Sequence, residues 1–168
     1  MGNTTSDIAI SPLQPAQWPQ VWAIAEPVFR SGTTYAFDPS ITEAEAHRVW
    51  VEVPQATYVA QEGGDVLGTY YIKPNQPSLG AHVCNCGYIV GGAARGRGMA
   101  TLMCEHSQQE ARRLGFRAMQ FNLVVSTNAI ALRLWKKLGF DIVGTLPGAF
   151  QHAEQGFVDA IVMYKLLG

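Results

Sequence analysis

Two arginines and two glycines stand where an apolar strand is predicted to turn into a helix. Residues 93–102 read A-A-R-G-R-G-M-A-T-L and follow a β-branched run that ends at Val90. The first turn of a helix leaves about four backbone N–H groups without an internal partner, and the helix dipole adds roughly half a positive charge there. Gly96 and Gly98 lack the Cβ atoms that would keep ligand oxygens away from those amides. The segment predicts a phosphate-binding turn that needs no metal.

The same segment allows a plainer interpretation, a glycine-rich turn with solvent-exposed arginines. Two other phosphate motifs are absent from the sequence. No G-x-x-x-x-G-K-[ST] occurs, and Thr101 stands where a dinucleotide-binding loop that starts with Gly96-x-Gly98 would carry a third glycine or alanine. Neither a P-loop nor a dinucleotide-binding loop is therefore predicted.

An asparagine lies in the middle of the strand predicted at residues 82–90. Alternation along the strand puts Asn85 on the face opposite Cys84 and Cys86. A polar side chain on such a face needs a hydrogen-bond partner when it is buried. We expect the substrate to be that partner, and a turn-forming role at the strand end is the alternative.

Composition and charge exclude several classes of protein. The chain has 168 residues, of which 48% are apolar and 15% charged, and its formal net charge is −1. These values predict one globular domain over residues 1–168 and give no basic excess for binding nucleic acid. No apolar run approaches the ~20 residues of a membrane span, and residues 1–6 carry no signal segment. We expect a cytoplasmic protein that binds neither membranes nor nucleic acid.

Cysteine and histidine usage predicts neither disulfides nor a metal site. The three cysteines, Cys84, Cys86 and Cys104, are odd in number, which favours reduced, packed thiols. The four histidines are scattered, and no C-x₂-C or H-E-x-x-H spacing occurs.

The predicted elements end in a strand, helix, strand, helix passage. The predicted helices cover residues 15–29, 42–51, 98–114 and 128–138, and the predicted strands cover residues 8–13, 57–61, 66–72, 82–90, 118–125, 140–146 and 156–166. Pro27 is expected to end or kink the first helix, and E-G-G-D at residues 62–65 predicts a hairpin turn. This order of elements predicts an α/β (α+β) fold with helices on both faces of a mixed sheet.

Two motifs in the second half of the chain occur together in one superfamily. The spacing Arg95-x-x-Gly98-x-Ala100 resembles the acyl-CoA-binding signature Q/R-x-x-G-x-G/A of the GNAT N-acetyltransferases. Residues 128–140 resemble the later N-x-x-A-x-x-[LF]-Y-x-x-x-G-F motif of the same superfamily. The resemblance implies the GNAT fold, a mostly antiparallel sheet of six to seven strands that is splayed between the fourth and fifth strands. It also implies acetyl-CoA as co-substrate and no metal.

The resemblance assigns the cofactor to particular residues. The adenosine diphosphate would lie over residues 95–100, the pantetheine would run beside residues 88–90, and a backbone N–H of that strand would stabilise the oxyanion. The implied cofactor-binding residues are Tyr88, Ile89, Val90, Arg95, Gly96, Arg97, Gly98, Met99, Ala100, Asn122, Asn128, Trp135 and Lys137.

Trp135 departs from the superfamily pattern. Many members carry a tyrosine there that protonates the leaving CoA thiolate, and an indole N–H is no useful proton donor near neutral pH. Water, Tyr164 or a cysteine of the strand at residues 82–90 could replace it, and Trp135 is then an aromatic residue packed beside the cofactor.

The sequence segments around three asparagines, C-N-C-G-Y and F-N-L-V-V-S-T-N-A, resemble one branch of the superfamily. This branch contains the yeast N-acetyltransferase that acts on azetidine-2-carboxylate. That branch implies that Asn85 is the catalytic residue that holds the substrate, and that Asn122 and Asn128 contact the cofactor side. The alternatives are an ordinary hydrogen-bonded edge residue for Asn122 and a helix cap for Asn128.

The implied reaction is direct acetyl transfer, in a ternary complex, to the amine of a small molecule such as an amino or imino acid. The substrate pocket is predicted to use Asn85 and a set of aromatic residues that are also common in cores: Tyr35, Phe37, Tyr70, Tyr71, Phe150 and His152. A non-catalytic acyl-CoA sensor and a protein N-acetyltransferase are the alternatives. Dimerisation through the last strands is expected from the superfamily alone.

Overall fold

A computed structural model describes residues 7–168 and contains one seven-stranded sheet. Residues 1–6, where the sequence shows no signal segment, lie outside the described part. The strands are β1 Ala9–Pro12, β2 Ala56–Glu62, β3 Asp65–Pro74, β4 Val83–Val90, β5 Ala118–Val125, β6 Asp141–His152 and β7 Gly156–Leu166, and the α-helices are α1 Trp18–Ser31, α2 Glu43–His47, α3 Met99–Arg113 and α4 Ala129–Lys137. The spatial order of the strands is β1-β2-β3-β4-β5-β7-β6, and only the β4–β5 pair is parallel. The predicted mixed, mostly antiparallel sheet is confirmed.

Helix α1 runs past the proline that was expected to limit it. Pro27 lies inside the helix, which continues to Ser31 and ends at Gly32 with a φ of 64°. Proline removes one backbone hydrogen bond of the helix. Phe29 is fully buried and packs edge-on against Tyr35 and Phe37, so the last turn is held by its core contacts.

Helix α2 is short and passes directly into a π-helical turn. Thr42 caps it: the Glu45 N–H donates to Thr42 Oγ1 at 3.2 Å, and the Glu45 carboxylate accepts from the Thr42 N–H at 2.9 Å. The wider turn at Arg48–Glu52 places Trp50 in the core, where its side chain has no exposed surface. The Trp50 indole N–H donates to Thr69 Oγ1 at 3.1 Å, which joins this helical layer to β3.

The hairpin between β2 and β3 follows the predicted turn chemistry. Gly63 and Gly64 have φ values of 56° and 93°, the backbone of a two-residue hairpin turn that side chains disfavour. Antiparallel pairing then sets Tyr71 opposite Gly87 and Lys73 opposite Asn85 across β3 and β4.

Strands β4 and β5 part after two residue pairs. The parallel ladder consists of Val83 with Ala118 and Cys84 with Met119, whereas β5 pairs with β7 on its other side from Ala118 to Val125. The splay implied by the superfamily resemblance is thereby confirmed. The rest of β4 has β3 on one edge and an open cleft on the other.

The sheet separates two apolar cores. Helix α1 and the turn around Trp50 cover one face, where Val59, Tyr71 and Ile89 are buried. Helix α3 covers the other face over Tyr70, Ile72 and Met119. Among residues 7–168, none of the helices is long and apolar enough to cross a membrane.

Gly87 provides a test of this packing. A Cβ atom added at Gly87 would lie 2.6 Å from the Tyr71 ring, whose other side packs against Trp50 at 4.8 Å between centroids. We expect Gly87→Ala to lower the free energy of unfolding by about 1 to 3 kcal/mol, because the ring is confined on both sides. Urea unfolding measures the change. Gly144→Ala, in β6 with open space around the added atom, is the matched control, and equal stability of the two variants would contradict the prediction.

Candidate active site

A cavity of about 410 Å³ occupies the cleft between β4 and β5. The loop after α1 and the first turn of α4 close its ends. Nine of the residues predicted for the site line it: Tyr35, Phe37, Asn85, Tyr88, Ile89, Val90, Asn122, Asn128 and Trp135. Residues from distant parts of the sequence are thus brought to one cavity.

The backbone of β4 presents hydrogen-bonding groups to this cavity. The Asn75 N–H donates to the Val83 carbonyl at 2.8 Å, and the Gly91 N–H donates to the Leu67 carbonyl at 2.8 Å. Both bonds join odd-numbered residues of this segment to β3, and the pattern alternates along an antiparallel ladder. The N–H and C=O groups of Cys86, Tyr88 and Val90 therefore point away from β3, toward the cleft.

One of these groups already has a partner in the loop after α1. The Tyr35 hydroxyl donates to the Tyr88 carbonyl at 2.7 Å. The same loop is held from the other side, because the Ala153 N–H donates to the Gly32 carbonyl at 3.1 Å. Tyr35 and Phe37 stack with their ring centroids 5.8 Å apart, so this loop forms an ordered aromatic wall of the cavity.

The start of α3 has the geometry expected of an anion site. The first helical hydrogen bond runs from the Leu102 N–H to the Gly98 carbonyl at 3.0 Å, so the amides before it have no partner within the helix. Gly96 and Gly98 have φ values of 76° and 73°, and a Cβ atom at either would meet nothing within 4 Å. This open backbone cradle fits a diphosphate.

The four remaining predicted residues of this turn differ in exposure. Arg95 and Arg97 are exposed, whereas Met99 is buried and Ala100 is half-buried. Arg97 forms an ion pair with Glu62 of the β2–β3 hairpin, with an N–O distance of 3.1 Å. Part of the positive charge predicted for a phosphate is therefore shared with a carboxylate.

Asn85 spans the point where β4 and β5 separate. Its amide nitrogen donates to the Gln120 carbonyl at 3.0 Å, and its amide oxygen accepts from the Tyr71 hydroxyl at 3.2 Å. The side chain is buried and lines the cavity. A carboxamide has two donors and two acceptor sites, so one of each is left for a ligand.

The remaining predicted residues of the lining lie on the side of the cavity that β5 and α4 form. Asn128 caps α4 by accepting from the Ala131 N–H at 3.2 Å, which is the structural alternative given above. Asn122 is exposed at the cavity edge and donates to the Asn75 side chain at 2.6 Å. Trp135 packs between Tyr88 and Phe121 at centroid distances of 5.2 and 5.0 Å.

The turn at residues 95–100 lies outside the cavity lining, and so do four other predicted residues: Tyr70, Lys137, Phe150 and His152. Phe150 and His152 are buried at the end of β6. Tyr70 has its side chain on the α3 face of the sheet, where it is fully buried and its hydroxyl is 2.6 Å from His106 Nδ1. Its predicted neighbour Tyr71 does line the cavity, because adjacent residues of a strand face opposite sides. Lys137 is exposed in the last turn of α4 and is not part of the lining.

Sequence reasoning did not include Thr34 and Lys73, which also line the cavity. Thr34 Oγ1 is buried and has no hydrogen-bond partner among the described residues. The signal that could have placed Lys73 was the alternation of β3. It becomes useful only once the register against Asn85 is known.

The phenols and the thiol of the residues that line the cavity stay protonated. Burial raises the pKa of Tyr35 and of Tyr88 well above the ordinary value, and it also raises the pKa of Tyr71. Burial likewise raises the pKa of the Cys86 thiol, and a hydrogen bond with Cys84 adds to the effect. The lining drawn from residues 7–168 contains no Asp, Glu or His, so it offers neither a carboxylate nor an imidazole as a base.

Comparison with known proteins places this arrangement in a family. Residues 18–140 match the model of the acetyltransferase (GNAT) family. The chain therefore belongs to the GNAT family of acetyltransferases.

Individual relatives agree with this assignment. The chain is 37% identical over 98 residues to the N-acetyltransferase aca1 of Schizosaccharomyces pombe, a match that covers 58% of this chain and 47% of that relative. The chain thus spans about half the length of this curated relative. A GCN5-related N-acetyltransferase from Kribbella flavida is 40% identical with a TM-score of 0.89, over 95% of this chain and 97% of that one.

A more distant structure shares the fold alone. The phosphinothricin acetyltransferase of Sinorhizobium meliloti, in complex with acetyl-CoA, is 18% identical with a TM-score of 0.84, over 96% of this chain and 89% of that one. The described residues of this chain contain no group of three or more His, Cys, Asp or Glu side chains that could hold a metal ion.

Two glycines, one beyond each end of α3, provide a test of the anion cradle as the coenzyme A-binding site. Gly98 precedes the helix and Gly115 follows it; both have positive φ and open space around an added Cβ. Alanine at either position should cost about 1 to 2 kcal/mol of stability. Only Gly98→Ala should weaken coenzyme A binding in calorimetry, about tenfold or more, because its methyl group would keep the phosphate from the amides. Equal dissociation constants for the two variants would exclude the cradle as the binding site.

Proposed function

We propose that the protein transfers an acetyl group from acetyl-CoA to the amine of a small molecule, of the amino acid, imino acid or analogue class. One observation carries the proposal: a single cavity joins the unpaired backbone edge of β4 to the Asn85 carboxamide. The glycine cradle at the start of α3 lies directly after that strand. The similarity to a structure that holds acetyl-CoA supports the choice of co-substrate.

In the proposed reaction the acceptor nitrogen attacks the thioester carbonyl. The new N–C bond forms as the C–S bond breaks, the nitrogen loses a proton, and the sulfur leaves and takes up a proton. The cleft-facing N–H groups of Cys86, Tyr88 or Val90 would stabilise the oxyanion, and the free acceptor site of Asn85 Oδ1 would receive an N–H of the amine. Holding both reactants in one cavity supplies much of the rate enhancement.

The proton for the departing sulfur has few sources in this cavity. Trp135 is not an acid, and Tyr164 of β7 does not line the cavity. The Tyr88 hydroxyl is 2.6 Å from Ser107 Oγ, on the α3 side. The Cys86 thiol is buried on the same α3 side, next to Cys84, so we propose that a water molecule supplies the proton.

The aromatic wall of the cavity supports a small acceptor over a protein. Phe37 and Tyr35 line one side of the cavity, where a protein substrate would need an open groove. A sensor that binds acyl-CoA without turnover is the remaining alternative. Measurement of CoA release with a panel of amines separates the two, since a sensor would bind acetyl-CoA and release no CoA above the hydrolysis background.

Cytoplasmic location and homodimer formation remain predictions. The dimer is favoured by apolar side chains on the outer strands, where Val143 of β6 is 60% exposed and Phe157 of β7 is 75% exposed. Two copies of the chain could bury this surface.

Asn85 and Tyr71 give the first test of the mechanism. We expect Asn85→Ala to lower kcat/KM for the best acceptor by about 10- to 100-fold, because a buried orienting hydrogen bond is lost. Tyr71→Phe keeps the ring but removes the hydroxyl that orients Asn85, and it should act in the same direction with a smaller effect. Tyr164→Phe, outside the cavity, is the matched control. Full activity of Asn85→Ala, with unchanged acetyl-CoA affinity, would disprove the assigned role.

The pH dependence gives a second test. Because the cavity holds no base, the acceptor must react as the neutral amine, so kcat/KM should rise with pH up to the pKa of the acceptor. An α-amine of the peptide or amino acid amide type, with a pKa near 7.7 to 8.0, should reach its plateau about 2.5 pH units lower than an amine with a pKa near 10.4. The pH profiles of two such acceptors measure this difference. A rising limb at one fixed pH for both would instead reveal an enzyme base.

A further inference from the structure

Lys73 is the one charged side chain among the residues that line the cavity, counted over the described chain. The rest of the lining is aromatic, aliphatic, amide, hydroxyl or thiol. A cation in such surroundings discriminates between ligands by their charge. It repels a second cation and attracts an anion.

The position of Lys73 is fixed relative to Asn85. The two residues are directly opposite each other in the β3–β4 register, so their side chains project from the same face of the sheet. Facing Cβ atoms in such a pair lie about 4.5 to 5.5 Å apart. The cation therefore stands beside the carboxamide that we assign to the acceptor amine.

Tyr71 connects the two groups. The Lys73 ammonium lies 5.3 Å from the centroid of the Tyr71 ring, and the hydroxyl of the same ring donates to Asn85 Oδ1 at 3.2 Å. The ring in turn packs edge-on against Trp50. This contact keeps the ammonium near the cavity, since a cation over an aromatic face is favoured over other positions of the flexible chain.

No carboxylate neutralises this ammonium within the structure. The ion pairs among residues 7–168 involve Arg30, His47, Arg97 and Arg113, and none involves Lys73. Lys73 is half-buried, so it has also lost part of its hydration. A carboxylate brought by a ligand would restore both the charge balance and the hydrogen bonds.

We propose that Lys73 binds the carboxylate of the acceptor and thereby selects acceptors that carry a free carboxylate next to the reactive nitrogen. The inference rests on the proposed function and makes it narrower. In an α-amino or α-imino acid the nitrogen and the carboxylate share one carbon neighbour, so neighbouring Asn85 and Lys73 can hold both at once. Polyamines and the side chains of basic residues carry a second positive charge in place of the carboxylate, and the Lys73 ammonium repels them.

The experiment compares matched acceptors on matched variants. Initial rates of CoA release are measured with an α-amino or α-imino acid that the wild-type protein acetylates and with the carboxamide of the same acid. Because the two amines differ in pKa, each rate is expressed per neutral amine. The variants are Lys73→Met, which removes the charge at similar length, and Lys73→Arg, which keeps it.

We expect the wild-type protein to prefer the acid over the amide by about 10- to 100-fold in kcat/KM, in line with a charge-assisted hydrogen bond. Lys73→Met should abolish that preference by raising KM for the acid, with little change for the amide. Lys73→Arg should keep most of the preference. Lys136→Met, an exposed position on α4 outside the cavity lining, is the control for loss of one charge.

The outcomes separate the inference from the proposed function. Equal kcat/KM for acid and amide in the wild-type protein, or a preference retained by Lys73→Met, would overturn the role of Lys73 and leave acetyl transfer intact. Acetyl-CoA binding without transfer to any acceptor would overturn the proposed function itself. Calorimetric titration of the acid into the protein with bound CoA gives a readout that needs no turnover. Among these variants, only Lys73→Met should bind the acid more weakly.

Discussion

The separation of β4 from β5 is the constraint on which the site depends. Strand β5 takes β7 as its partner and stays beside β4 for two residue pairs, so alternate N–H and C=O groups of β4 have no strand to bind. An unpaired backbone edge inside a protein needs other partners. Tyr35 supplies one hydroxyl, and the proposed pantetheine would supply others. The cavity is thus a direct consequence of incomplete strand pairing.

The chemistry proposed for the cavity follows from the side-chain and backbone groups that line it. Burial keeps the Tyr35 and Tyr71 phenols protonated, and no carboxylate or imidazole of the described chain lines the cavity. In the proposed reaction such a site would orient a neutral amine and stabilise an oxyanion through backbone dipoles. The hydrogen bonds of Asn85 to Gln120 and Tyr71 fix its carboxamide where the two strands part, so this side chain has little freedom to move.

Local sequence signals predicted the parts of the fold that depend on neighbouring residues. The two-glycine hairpin and the bounds of β5 agree with the sequence analysis. Prediction failed where distant contacts decide. Phe29 packs against Tyr35 and Phe37 from the following loop, which favours continuation of α1 beyond Pro27. Strand β6 extends to His152 through an irregular register against β7 that no local pattern marks.

By itself the sequence determined the family, the glycine-rich turn before α3 and the asparagine in the central strand, because motif spacing and strand alternation are local properties of the chain. The tertiary structure alone decided that Tyr71 and not Tyr70 faces the cavity, that Arg97 is paired with Glu62, and that a single lysine stands beside Asn85. Strand register and the packing of a distant loop set these contacts. Both arise from pairing between residues far apart in the chain, which no spacing along the sequence encodes.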